Sequence, residues 1–427
     1  MNEKLLGSIR RLIPQSIFST LQRPYHWIFS LAAAIWYRFP SRHIKVIAVT
    51  GTKGKSSTVE IINAILERAG YKTALSNTIR FKVGETSTRN LHKMSMPGRF
   101  VMQKLLRQAV DADCAYMVVE MTSQGALLYR HRFIALDTLV FTNLSPEHIE
   151  AHGSYEKYVL AKLSIAQNMK RSGKKTTLII NADDAEAATF LACAADRKIR
   201  YSAKDAEPYE IKTEGIEFTF GGRTMRSPLS GLFNLYNILA AATCASSENV
   251  SPEVIAEAVS SFSDIPGRVE KVDAGQNFTV VVDYAHTPDS LEKLYKVFRP
   301  DATATRSKQR LIAILGGTGG GRDSWKRAEM GRLADLYCDE VILTDEDPYD
   351  EDPNKIAADV AAGVTAHQPI ILMDRRKAIR RAISLAHPDD IVLITGKGTD
   401  PYIMGPRGTK TPWSDSAIAR EELEKTV

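Results

Sequence analysis

The chain of 427 residues reads as two α/β domains, each built on a mostly parallel sheet. Three observations predict this. From Ile44 onward, apolar runs rich in β-branched residues alternate with amphipathic stretches. The alternation lapses at "DIPGRVE", Asp264 to Glu270, and then restarts. The first run, "KVIAVTG", enters a glycine–lysine–serine turn that opens a helical pattern, the way a chain builds a phosphate site. The expected organisation is a helical N-terminal extension over 1–44, a central domain over 45–267 and a C-terminal domain over 268–427.

The extension contains "WIFSLAAAIWY", Trp27 to Tyr37. It is shorter than the ~20 apolar residues that span a bilayer. It has no small-residue cleavage site, so it does not read as a signal peptide. The expected element is a helix packed on the body of the protein. An interfacial membrane helix is the alternative, because Trp27, Trp36 and Tyr37 lie near Arg38 and Arg42.

In the central domain the expected strands are "KVIAVTG", "KTALSN", "AYMVVEM", "DTLVFTN" and "TTLIINADD". The helix after the first strand shows Val59, Ile62, Ile65, Leu66 and Ala69 on one face, with Gly70 as its stop. "KIRYSA" and "GIEFTFGGRTMRSPL" read as an antiparallel addition with Gly221-Gly222 as its turn. Helices follow in "NLYNILAAATCASS" and from Ser251-Pro252, with Ser as cap and Pro as first helical residue. The second domain offers "FTVVVDYAH", "RLIAILGG", "EVILTDED", "PIILMD" and "DIVLITGKG" as strands, several ending in polar or glycine-rich loops. In open α/β sheets, ligands bind at those carboxyl ends.

Composition narrows the function. The net charge is +6, from 56 basic and 50 acidic residues, and no block of consecutive Lys or Arg accompanies it. That suits anionic small-molecule substrates and gives no support to a nucleic-acid partner. The four cysteines are scattered without a CxxC pair, which excludes a zinc ribbon and fits a reducing, cytoplasmic setting. A monomer is expected.

The turn "TGTKGKSS" can cradle phosphates through its backbone N–H groups. Lys55 can reach the terminal phosphates, and Ser56 or Ser57 can hold Mg²⁺. Val49 stands where the first glycine of the full phosphate-loop pattern belongs, but the strand–turn–helix context supports ATP or GTP binding. Glu120 leaves an apolar strand of the same sheet and is a candidate Mg²⁺ ligand. "FTNLSPEHIEAHGSYEKYVLAKLSIA" then gathers Asn143, Glu147, His148, His152 and Lys162. Lys162 falls on the apolar side of a helix, as a snorkelling lysine or a site residue of altered charge.

With these segments in order, the chain resembles the Mur ligase family of ATP-dependent peptide-bond-forming enzymes. The matching segments are "VTGTKGKSST", "VVEMTSQG", "FTNLSPEHIEAHGSYEKYVLAK", "GLFNLYNILAA", "IPGRVEKV", "VVDYAHTPDSLEK", "GGTGGGRDSWKRAEMG" and "ITGKGTDPY". The resemblance implies a central P-loop ATPase domain followed by a Rossmann-like C-terminal domain. "DYAHTPDSL" and "GGGRD" look most like the branch that joins UDP-N-acetylmuramoyl-L-alanyl-D-glutamate to a diamino acid, in peptidoglycan precursor synthesis. In the family a substrate carboxylate attacks the γ-phosphate of ATP, and an amine then attacks the acyl phosphate.

The resemblance also implies roles. Lys55, Glu120, His148 and Lys162 form the catalytic set, with Ser56, Glu120, His148 and Lys162 around Mg²⁺ and Lys162 carbamylated. Gly51, Thr52, Lys53, Gly54, Lys55, Ser56, Ser57 and Asn143 hold nucleotide, as do Asn237, Arg268, Asp283 and His286. Ser95, Met96, Pro97, Thr122 and Arg130 match positions for the muramoyl-dipeptide. Arg322, Glu346, Asp347, Tyr349, Gly396 and Asp400 match positions around the amino acid.

Three departures stand out. About 45 residues precede the phosphate loop, where a folded domain needs ~50 or more, so the family's N-terminal UDP-holding domain is expected to be lacking. Glu346-Asp347-Pro348-Tyr349 replaces Asp-Asn-Pro-Arg, and Tyr349 cannot pair bidentately with a carboxylate as arginine does. That suits a cationic side chain such as lysine at least as well as meso-diaminopimelate. Finally, Leu128 stands for a usual Gln and Ser-Met-Pro for Thr-Thr-Pro. An amide ligase with a non-UDP acceptor, of folylpolyglutamate synthetase type, is the alternative. Its usual Asp-Gly-Ala-His-Asn-Pro reads "DYAHTP" here.

Overall fold

The computed structural model describes residues 15–147, 149–300, 309–321 and 324–425. They group into two compact units. The first holds residues up to Ser202 with Leu239–Ser251, and the second holds Ala203–Ile238 with Pro252–Val427.

The first unit is organised by an eight-stranded sheet. Its strands are β1 (Lys45–Thr50), β2 (Thr73–Ser76), β3 (Arg80–Val83), β4 (Thr86–Arg89), β5 (Tyr116–Met121), β6 (Thr138–Phe141), β7 (Thr177–Asn181) and β8 (Arg197–Tyr201). The order is β4-β3-β2-β5-β1-β6-β7-β8. From β2 to β8 all neighbours are parallel, while β3 and β4 add an antiparallel edge. The central strands are buried along nearly their whole length, because a parallel sheet carries its crossovers on both faces. That is why they read as continuous apolar runs rather than as alternation.

Two expectations are corrected. "KIRYSA" does not join an antiparallel addition. It forms β8 and pairs in parallel with β7. Its face is mostly exposed, so its mixed pattern is that of an edge strand. The hairpin β3–β4, within "RFKVGETSTR", was not expected. Its outer strand is fully exposed and carries no apolar signal.

The helix Gln15–Trp36 precedes the sheet. It packs on the first unit through Ala33 and Ala34, which are fully buried. Ser30 Oγ donates to Tyr129 O at 2.9 Å, and the Trp27 ring meets Phe133 edge-on. Its other side leaves Ile28, Ile35 and Trp36 exposed. Among the described residues no helix is long and apolar enough to cross a membrane.

The second unit contains a three-stranded antiparallel sheet and a larger one. The small sheet is β9 (Tyr209–Lys212), β10 (Gly215–Phe220) and β11 (Arg223–Ser227), turning at Gly221-Gly222 as expected. The large sheet holds β12 (Glu270–Lys271), β13 (Thr279–Asp283), β14 (Leu311–Leu315), β15 (Glu340–Leu343), β16 (Ile370–Ile371) and β17 (Ile391–Thr395) in the order β12-β13-β17-β14-β15-β16. Only β12 is antiparallel. It lies at the end of the stretch read as a linker, too short to show a period. Apolar clusters cover both faces of this sheet. The four cysteines are buried and unpaired.

Candidate active site

The phosphate loop follows β1 and ends at the N-terminus of helix Lys55–Arg68. Gly51 adopts φ 153°, and a Cβ there would collide with Thr142 Oγ1. The loop is fastened from the exit of β6. Asn143 Oδ1 accepts from Lys53 N at 2.9 Å, Asn143 O accepts from Thr52 N at 2.8 Å, and Thr142 Oγ1 donates to Lys53 O at 2.8 Å. Lys53 Nζ pairs with Glu147 at 2.9 Å. Ser56 and Ser57 are buried in the first turn of the helix.

Two lysines serve this loop. Lys55 Nζ donates to Thr52 O at 2.9 Å and stands 3.9 Å from Glu120 Oε1. Lys162, on helix Tyr155–Met169, donates to Gly51 O at 2.5 Å and lies over the Tyr158 ring, 5.0 Å from its centroid. Only 2% of Lys162 is exposed. Burial and then the charge of Lys55 push its pKa well below the ordinary lysine value, against the pull of Glu147 and Glu120.

Glu120 ends β5, which neighbours β1 in the sheet, so the two strand exits lie side by side. It accepts from Ser56 Oγ at 2.7 Å, Thr78 N at 3.1 Å and Thr78 Oγ1 at 3.0 Å. Burial acts to raise its pKa. Lys55, Ser56, Ser95 and the Thr78 N–H outweigh burial and hold it below the ordinary value. An ion pair near 4 Å is worth ~4 kcal/mol at an effective dielectric of about 20. The cost of burying a charge is also several kcal/mol, so Lys55 and the hydrogen bonds act together to keep the carboxylate ionised.

An ionised, buried carboxylate beside a hydroxyl at a phosphate loop fits Mg²⁺, which takes one or two carboxylates plus phosphate oxygens and waters. No group of three or more His, Cys, Asp or Glu side chains forms a metal cage among the described residues. His148, expected as a ligand, lies outside the described residues. The nearby His152 is buried against Ser123 Oγ at 3.1 Å.

The expected acceptor residues adjoin Glu120. Ser95 Oγ is 2.5 Å from Thr78 Oγ1. Met96 Sδ accepts from Thr122 N at 3.2 Å, and Met96 O accepts from Arg130 Nη1. Pro97 is buried beside them. Thr122 caps helix Ser123–Leu127. Thr78, Thr142 and Tyr158 were not singled out from sequence. Thr78 was within reach, because parallel pairing of Ser76 with Val119 brings the chain after β2 beside Glu120.

In the second unit, the loops after β13, β14, β15 and β17 form another polar centre. Asp283 accepts from Val269 N at 2.8 Å and Ala285 N at 2.7 Å. Arg268 lies over the Tyr284 ring at 4.4 Å, and His286 Nδ1 is 2.7 Å from Tyr284 O. Asn237 is buried on helix Leu232–Ser247 and donates to Asn234 at 3.2 Å. Lys397 is fully buried and binds Asp347 at 2.8 Å and Asp400 at 3.3 Å. Sequence reading had passed over it, although glycines on both sides in "GKG" marked a tight loop.

Glu346 Oε1 accepts from Thr318 Oγ1 at 3.0 Å, while its buried Oε2 has no hydrogen-bond partner. Gly396 adopts φ 103°, and a Cβ there would strike Glu346 Oε2. Burial and then the neighbouring Asp347 raise the Glu346 pKa. Tyr349 takes a positive φ of 53° beside Gly320. Arg322 lies outside the described residues.

Two family profiles match the chain. The Mur ligase middle domain covers residues 49–245, and the Mur ligase glutamate ligase domain covers 267–398. The UDP-N-acetylmuramoyl-L-alanyl-D-glutamate–2,6-diaminopimelate ligase of Syntrophomonas wolfei is 38% identical over 410 residues, 93% of this chain and 82% of that protein. A solved structure of a ligase with that name is 27% identical, with a TM-score of 0.61, covering 90% of this chain and 79% of the other. Mycobacterium tuberculosis folylpolyglutamate synthase, at 18% identity and a TM-score of 0.68, covers 87% of this chain and 92% of its own. That likeness speaks for the fold alone.

Proposed function

The chain belongs to the Mur ligase family of ATP-dependent ligases, and on that premise we propose that it joins a UDP-muramoyl-dipeptide to a diamino acid through an acyl phosphate. The observation that carries this reading is a hydrogen-bonded chain. Ser56, Glu120, Thr78 and Ser95 are linked by contacts of 2.7, 3.0 and 2.5 Å. The chain ties the phosphate loop to the acceptor residues, so a transferred phosphoryl group and a bound carboxylate meet at its middle.

The protein's share is positioning and charge stabilisation. The loop N–H groups and Lys55 hold the polyphosphate. Glu120 and Ser56 would hold Mg²⁺, which when bound neutralises phosphate charge. The acceptor carboxylate oxygen bonds to the γ-phosphorus and ADP leaves. The amine nitrogen then bonds to the acyl carbon, phosphate leaves, and the amine gives up a proton. We assign Lys162 as a carbamate. A buried amine with a depressed pKa is neutral and can add CO₂, losing one proton and becoming an anion.

For the donor, Glu346, Asp347 and Asp400 outnumber Lys397, and the buried Arg375 that also acts on Glu346 is bound to Asp415, which suits an ammonium group. No guanidinium stands at Tyr349 to receive a second carboxylate, which favours lysine over meso-diaminopimelate. Phosphate release from ATP with UDP-muramoyl-L-Ala-D-Glu tests this. Release is expected on adding lysine. Release with meso-diaminopimelate alone overturns the donor reading, and no release with either overturns the acceptor reading.

A further inference from the structure

The helix Gln15–Trp36 does more than cover the first unit. It delivers His26 to the guanidinium of Arg99, at the start of helix Arg99–Asp111. Arg99 Nη2 meets His26 Nδ1 and also donates to Leu128 O at 2.8 Å. Arginine can only donate, so Nδ1 is the acceptor and the ring proton sits on Nε2. That Nε2–H is buried and has no partner. The Nε–H of Arg99 is buried and has none either. Arg130 stands close enough for its charge to lower the pKa values of both Arg99 and His26.

Neither arginine is balanced. Among the described residues no carboxylate pairs with Arg99 or Arg130, and both are partly buried. Two neighbouring cations and two orphaned donors together disfavour the folded arrangement unless a negative group receives them. A cation would be repelled, and an apolar group would leave the donors unmet. Oxygen atoms of an anion satisfy all three residues.

We propose that His26 and Arg99 join Arg130 in an anion-binding subsite that takes a phosphate or carboxylate group of the acceptor substrate. The assignment to the acceptor rests on the proposed function, through Arg130, whose Nη1 donates to Met96 O. The N-terminal helix is then part of the substrate site, and His26 acts as a neutral N–H donor held in one tautomer by Arg99.

The test reads the His26 ring by ¹H–¹⁵N NMR in the full chain, with ADP and Mg²⁺ saturating the phosphate loop. Inorganic pyrophosphate and glutarate are titrated separately. A shift of the His26 ring signals is expected with one of them: pyrophosphate identifies a phosphate group, glutarate a carboxylate. Arg99→Gln should weaken that binding about tenfold or more, and His26→Phe should weaken it in the same sense. His26→Gln, which keeps an N–H donor, should retain part of it. Thermal unfolding checks each variant, and Arg99→Lys keeps the charge should Arg99→Gln not fold. Absence of any shift with both probes overturns the subsite, as does unchanged affinity in folded Arg99→Gln or folded His26→Phe. No turnover is needed, so this outcome is separate from failure of the ligase reading, which shows as absence of amide product.

Discussion

The polar centre of the first unit and that of the second lie at equivalent places, the carboxyl ends of parallel strands, yet their balance of cations and acids differs. In the first, Lys55 and the loop N–H groups face one ionised carboxylate, Glu120. In the second, Asp347 and Asp400 bind one buried lysine, Lys397, and Glu346 lies close enough to feel its charge. On the proposed function, one architecture would supply a site for phosphate and a site for an amine. The sheet brings the loops together, and the loop residues choose the ligand.

The contrast can be broken at its strongest point. Lys55→Met removes the cation proposed to meet the polyphosphate and should lower ATP-driven turnover about 10³-fold, measured as phosphate release, with the lysine KM little changed. At the opposite centre, Lys397→Met leaves Asp347 and Asp400 buried without their cation. That should destabilise the fold by ~3–5 kcal/mol, seen as a lowered denaturation midpoint. An unchanged midpoint would mean the acids are solvated or protonated and the second centre is not the acidic one described.

Lys162→Ala sharpens the first half of the comparison. If the lysine acts as a carbamate, turnover should fall about 10²-fold and acetate should restore part of it. Loss without rescue would point to a cationic lysine instead. The smallest effect is in pH. Glu346 has a raised pKa, so its charged form is lost as pH falls through that value, while Glu120, held low, stays ionised. The KM for the amino acid should therefore rise on the acid side before the KM for ATP. The same shift means that the stability Glu346 contributes is present below the ordinary carboxylate value and lost as pH rises through the raised one.

Much of this was legible in the chain itself. The strands announced themselves because buried parallel strands are continuous apolar runs, and "VTGTKGKSS" carried its own strand, turn and helix. Glu120 and Lys162 were conspicuous as charged residues in apolar settings. What escaped were groups whose meaning is set by register. Thr78 is an ordinary threonine until β2 lies beside β5. Lys397 looks like a loop lysine until Asp347 and Asp400 enclose it. β8 was misplaced because an edge strand, mostly exposed, shows no clear apolar period. His26 gave no signal at all, since Arg99 lies 73 positions away in sequence.

The division of labour between the two centres is tested most directly by initial rates for Glu346→Gln, with the acceptor saturating and ATP and lysine varied in turn. A lysine KM raised about tenfold and an ATP KM close to that of the unaltered protein are expected. A raised ATP KM with an unchanged lysine KM would contradict that division, because the buried acid would then be serving the nucleotide.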